Sequence, residues 1–92
     1  MGIFSVSKVN NLLIQVENQL QKISNLVDMH ASREQLLSAL NELRRLTAEI
    51  NYHFTDSGMA RTAVYKFMGQ KVRSWEILSY LTGIVNDLEK LI

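Results

Sequence analysis

Residues 32–54 read SREQLLSALNELRRLTAEINYHF, and they carry the clearest helix signal in the sequence. Ser32 followed three positions later by Gln35 fits a capping box, which marks the start of a helix. Beyond the cap, mostly apolar positions recur at alternating intervals of four and three, the heptad spacing of helices that pack side by side. These positions are Leu36, Leu40, Leu43, Thr47, Ile50 and Phe54. The pattern predicts a helix over about 32–54, ended by the turn formers of residues 55–58.

The preceding segment carries the same spacing and predicts a helix over about 7–30. Its seam consists of Val9, Leu13, Val16, Leu20, Ile23, Val27 and His30. Residues 1–6 do not continue the seam, and we expect them to form a flexible tail.

The following segment, 58–91, has one broad apolar side and predicts a third helix. Its spacing is irregular between Met68 and Trp75, where Gly69 lies. Because glycine inside a helix costs about 1 kcal/mol relative to alanine, a break is expected there if anywhere. An unbroken helix would span roughly 50 Å against roughly 35 Å for each of the other two, leaving an apolar overhang.

These segments predict an all-α fold in a single domain of residues 1–92. The expected architecture is a three-helix antiparallel bundle resembling a coiled coil, with four helices if the last one breaks near Gly69. A chain of 92 residues buries only about 60–65% of its unfolded surface. The small size and the overhang together favour a homo-oligomer.

Composition narrows the possible functions. The chain has no cysteine and no proline, and its formal charge is +1. Disulfides, thiolate nucleophiles and cysteine-based zinc sites are therefore excluded. No apolar run is long enough to span a membrane, and the N-terminus does not resemble a secretory signal, so the expected location is the cytoplasm.

Catalytic and metal-binding patterns are missing from the sequence. The two histidines, His30 and His53, fall near opposite ends of the second predicted helix. No H-E-x-x-H spacing, Gly-x-Ser-x-Gly elbow or glycine-rich phosphate loop occurs. We therefore expect no enzyme activity, no cofactor and no metal.

The stretch from residue 57 to 75 contains basic and aromatic residues but no acidic residue before Glu76. A helix start and a run of cations can together bind an anion. The candidate anion-binding residues are Ser57, Gly58, Arg61, Lys66, Lys71 and Arg73. The alternative function is thus a module that binds an anion, a nucleotide or a nucleic acid.

The leading functional prediction is a small non-enzymatic protein-protein interaction module that self-associates and also binds another protein. Inhibitors, chaperones and assembly adaptors are commonly built from such bundles. Large aromatic and apolar side chains dominate the energetics of protein interfaces. Trp75, Tyr80 and Leu88 are the predicted partner-binding residues.

Overall fold

The computed structural model describes residues 4–92. It contains four helices and one β-hairpin, in the order α1 (Ser5–Asp28), α2 (Arg33–Asp56), α3 (Gly58–Thr62), β1 (Tyr65–Phe67), β2 (Gln70–Val72) and α4 (Ser74–Leu91). The prediction of an all-α helical bundle is confirmed, with the hairpin as a small addition. The described part of the chain measures 42 × 23 × 18 Å.

Helix α2 is the centre of the bundle. It begins at the predicted cap: the Gln35 backbone N–H donates to Ser32 Oγ at 3.2 Å, and the Ser32 N–H donates to Gln35 Oε1 at 3.0 Å. Its apolar stripe is buried through Ala39, Leu40, Leu43, Leu46, Ile50 and Phe54. Both α1 and α4 pack against this stripe.

Helix α1 differs from its predicted bounds at both ends. It begins at Ser5, so residues 5 and 6 are helical, contrary to the predicted tail; residues 1–3 of that tail lie outside the described residues. It ends at Asp28, and His30 adopts a left-handed φ of 53° in the turn that follows. The Ala31 N–H then donates to the Leu26 carbonyl at 2.9 Å, which satisfies one of the last carbonyls of the helix.

The predicted helix over 58–91 is wrong as a continuous element. The break does occur around Gly69, but residues 65–72 form an antiparallel hairpin in which Phe67 faces Gln70 and Tyr65 faces Val72. Met68 and Gly69 form the two-residue turn with φ of 54° and 79°, as a type I′ turn requires. Tyr65 and Phe67 are buried on the inner face of β1, so the alternation of this strand adds aromatic side chains to the core.

The hairpin also removes the length mismatch. Helix α4 has 18 residues and spans about 27 Å, whereas α1 and α2, with 24 residues each, span about 36 Å. The predicted overhang is therefore absent, and self-association loses that argument. Self-association itself stays a prediction, to be judged from the surface of the molecule.

Candidate functional site: an apolar groove between helices α1 and α4

An open groove runs between α1 and α4. The end of α4 lies beside the start of α2, since Arg33 Nε donates to the Ile92 carbonyl at 3.1 Å. Both α1 and α4 are antiparallel to α2 and are therefore parallel to each other. The backbones of α1 and α4 each pack more closely against α2 than against one another. The hairpin closes one end of the space between them.

Two adjoining cavities make up this groove, which is called the α1–α4 groove below. One, of about 340 Å³, lies between α1 and α4; the other, of about 260 Å³, lies between the hairpin and α4. Met68 and Tyr80 line both cavities. The other apolar lining residues are Leu20, Ile23, Val27, Phe67, Val72, Ile77, Ile84 and Leu88.

Several of these apolar side chains are well exposed. Val27 is 40% exposed, Tyr80 43% and Met68 51%. The Tyr80 ring lies edge-on to the Phe67 ring with 5.6 Å between centroids, so its position is set by the hairpin. Below them, Ile23 and Ile77 are buried and join the groove to the core.

The turn of the hairpin is tied to α1. The Met68 backbone N–H donates to Glu17 Oε2 at 2.8 Å, a hydrogen bond to a charged acceptor. Met68 also occupies a left-handed turn position that favours asparagine or glycine. A long apolar side chain is therefore held where the two cavities of the groove meet, in a backbone conformation that suits it poorly.

The charged side chains that line the two cavities are both acidic. Asp28 borders the cavity between α1 and α4, and Glu76 borders the cavity beside the hairpin. Glu17 adds a carboxylate at the turn, and Asp87, two turns after Tyr80 on α4, lies on the same side of the helix. The rim of the groove is thus negatively charged.

The three predicted partner-binding residues do not share one surface. Tyr80 and Leu88 line the groove. Trp75 is 63% exposed but lies five residues before Tyr80, about 140° away around the helix axis. Met68 and Val27 were not predicted as site residues, because the sequence pattern assigned them to the apolar side of the last segment and to the seam of α1. Ile84 was not singled out by the sequence pattern.

The six predicted anion-binding residues are distributed over different roles. Ser57 is buried, and its Oγ accepts the Ala60 N–H at 3.1 Å; Gly58 is the first residue of α3. Arg61 donates to the Phe54 carbonyl at 2.8 Å, and Arg73 donates to the Thr62 carbonyl. These two guanidinium groups therefore bind backbone carbonyls at element ends.

Lys66 and Lys71 remain together on a different surface. They lie opposite each other across the two strands, and both are exposed on the outer face of the hairpin. This face points away from the α1–α4 groove, because Tyr65 and Phe67 occupy the inner face.

Burial raises the pKa of Tyr65 above its ordinary value. Its hydroxyl donates to the Ala60 carbonyl at 2.6 Å, so this phenol ties the hairpin to α3.

Among residues 4–92, the structure contains no group of three or more His, Asp or Glu side chains placed to hold a metal ion. Within the same range, no helix has the length and hydropathy needed to cross a membrane.

A second depression lies on the opposite side of α4, between α2 and α4. Its volume is about 370 Å³, and five of its eight lining residues have polar side chains, although most of the exposed lining surface is apolar. The lining residues are Arg44, Thr47, Ala48, Asn51, Leu78, Thr82, Val85 and Asn86. Arg44 forms an ion pair with Glu89 beside it. With no aromatic side chain in its lining, this depression is a weaker candidate for protein binding than the α1–α4 groove.

Comparisons with protein families, with curated proteins and with solved structures gave no significant match to this chain.

Proposed function

We propose that this protein is a non-enzymatic helical interaction module, of the inhibitor, chaperone or assembly-adaptor type, that binds protein through the α1–α4 groove. The proposal is based mainly on the half-exposed side chains of Met68 and Tyr80, which line both cavities of the groove. Contiguous apolar surface on a small protein marks a site of interaction more often than isolated apolar residues do.

The conformation of Met68 gives independent support. A methionine with a φ of 54° is disfavoured locally, and half of its surface is exposed. Strained residues often persist at functional sites, where they position a contact. Methionine is also common on binding surfaces because its side chain adapts to the partner.

Site-specific photocrosslinking in cells that produce the protein tests this proposal. A photoreactive phenylalanine analogue replaces Tyr80 in one variant and Ile14 in the control. Ile14 is 58% exposed and lies on the opposite side of α1 from the buried Val16. We expect a defined adduct from position 80 that is absent from position 14.

The adduct also reports whether the protein binds itself. A product of twice the chain mass, together with concentration-dependent light scattering, would indicate self-association through the groove. No adduct from position 80, combined with a monomer at all concentrations, would refute the proposed function.

The second candidate function is the binding of an anion or a nucleic acid, supported by the facing pair Lys66 and Lys71. Phosphate-driven binding weakens steeply as salt rises, whereas association through apolar surface changes little. A fluorescent single-stranded oligonucleotide titrated at 50 and 200 mM salt tests this candidate. Loss of binding in the Lys66→Ala/Lys71→Ala variant would support it.

A further inference from the structure

We propose that the occupant of the α1–α4 groove is an amphipathic helix of another protein whose apolar side chains are flanked by lysine or arginine. This inference rests on the proposed function and adds the chemistry of the partner. Shape, charge and the layout of this chain each contribute to the argument.

The shape of the groove fits a helix. Its two walls are parallel helices, with Leu20 to Val27 on α1 and Tyr80 to Leu88 on α4. Leu20 to Val27 is seven steps of helix, about 10.5 Å, and Tyr80 to Leu88 is eight steps, about 12 Å. These lengths are close to the roughly 10.5 Å between apolar side chains at positions i and i+7 of a bound helix. A third helix placed there would cover the exposed apolar lining as in a bundle.

The charge of the rim selects the flanks of that helix. Asp28 and Glu76 border the two cavities, and Asp87 lies on the same side of α4 as Tyr80. The lysine pair of the hairpin faces outward from the opposite side of the strands. Complementary charge at an interface favours the correct partner and suppresses others, so a glutamate-flanked helix is disfavoured here.

A second copy of this chain is a poorer occupant. Apart from the groove lining itself, the broad apolar faces of α1, α2 and α4 are buried in the core, and α3 has only five residues. Within residues 4–92, a second copy offers its own half-exposed groove lining but no free amphipathic helix, and it would have to unfold to supply one. The partner helix therefore comes from another protein.

Three synthetic peptides of sixteen residues test the inference. Each carries leucine at positions i, i+3, i+4 and i+7, and the flanking positions are all lysine, all glutamine or all glutamate. Fluorescence anisotropy at 150 mM salt gives the dissociation constants. We expect affinity in the order lysine, glutamine, glutamate, with at least a tenfold difference between the first and the last.

Variants of the protein show where and how the peptides bind. Tyr80→Ala and Met68→Ala each remove a half-exposed side chain and should weaken the lysine and glutamine peptides at least fivefold. The Asp28→Asn/Asp87→Asn variant should reduce the ratio between the lysine and glutamine peptides. The matched control, Glu34→Gln/Glu49→Gln, makes the same change in net charge away from the groove and should leave that ratio unchanged.

Each contrary result has a distinct meaning. Equal affinity for the lysine and glutamine peptides, with loss in Tyr80→Ala, would overturn the basic partner while leaving the proposed function intact. Binding that ignores Tyr80→Ala and Met68→Ala, or no peptide binding, would overturn the helix-in-groove inference; crosslinking at position 80 then decides the proposed function separately. A dimer crosslinked through position 80 would identify a second copy as the occupant and overturn the inference.

Discussion

Replacing Met68 separates the cost of its backbone conformation from the value of its side chain. Met68 has a φ of 54° and is 51% exposed. A left-handed conformation costs a residue other than glycine about 1 kcal/mol, and asparagine tolerates it better than most residues. Burying about half of a methionine contributes about 1 kcal/mol.

These two magnitudes predict different outcomes for two substitutions. Met68→Ala loses the buried contact and keeps the backbone cost, so its free energy of unfolding should fall by about 1 kcal/mol. Met68→Asn loses the same contact but relieves the backbone cost, so its stability should stay close to that of the unchanged protein. Because 1 kcal/mol corresponds to about 4–8 °C in a domain of this size, thermal unfolding followed by circular dichroism resolves the pair.

The two variants also distinguish the effect of residue 68 on stability from its effect on peptide binding. Both variants lack the methionine side chain that lines both cavities of the groove, so both should bind the lysine-flanked peptide at least fivefold more weakly. If Met68→Ala proves at least as stable as Met68→Asn, residue 68 bears no left-handed backbone cost. That result would refute the left-handed turn and the reasoning that a strained Met68 is kept in the groove for binding. Undiminished peptide binding by both variants would refute the role of the side chain.

Three further predictions concern the fold. Tyr65→Phe leaves the Ala60 carbonyl without its donor and should lower the free energy of unfolding, measured with urea at neutral pH, by about 1–2 kcal/mol. Because the folded-state pKa of Tyr65 is raised, the stability that Tyr65 contributes is full below about pH 10 and falls as pH rises through the raised pKa. The variant should therefore lose less stability at alkaline pH than the unchanged protein. His30→Gly should raise the free energy of unfolding by about 0.5–1 kcal/mol, because glycine suits the left-handed residue after α1; a decrease would show that the His30 side chain stabilises the turn. Leu43→Ala, at a fully buried position of α2, should cost about 3–4 kcal/mol by thermal unfolding, and a loss below 1 kcal/mol would contradict the packing described.

The long helices were predictable because their signals are local and repeated. The heptad spacing located α1 and α2, and the pair Ser32 and Gln35 fixed the start of α2 to the residue. The hairpin was missed because its signal is short. Tyr65, Phe67 and Val72 lie in strands of only three residues, and Phe67 and Val72 also fit the broad apolar side predicted for a helix. Gly69 indicated a break, whereas the turn became recognisable only with the strands paired on both sides.

The groove was only partly predictable for a related reason. Tyr80 and Leu88 stand out in the sequence as large residues on the last helix, and both line the groove. Trp75 stands out equally, yet it lies five residues before Tyr80 and so projects about 140° away from it around the axis of α4, on another surface. The part played by Met68 depends on how the hairpin folds back against Glu17, a contact across 51 positions that local pattern does not reveal.

The most direct test of the binding groove is a nitrogen-15 correlation spectrum of the labelled protein, recorded with and without the lysine-flanked peptide. We expect the amide signals of residues 20–27, 67–68 and 80–88 to shift together on titration, since these segments contain most of the residues that line the groove. Shifts centred instead on Trp75, or on the outer hairpin face at Lys66 and Lys71, would contradict binding in the groove.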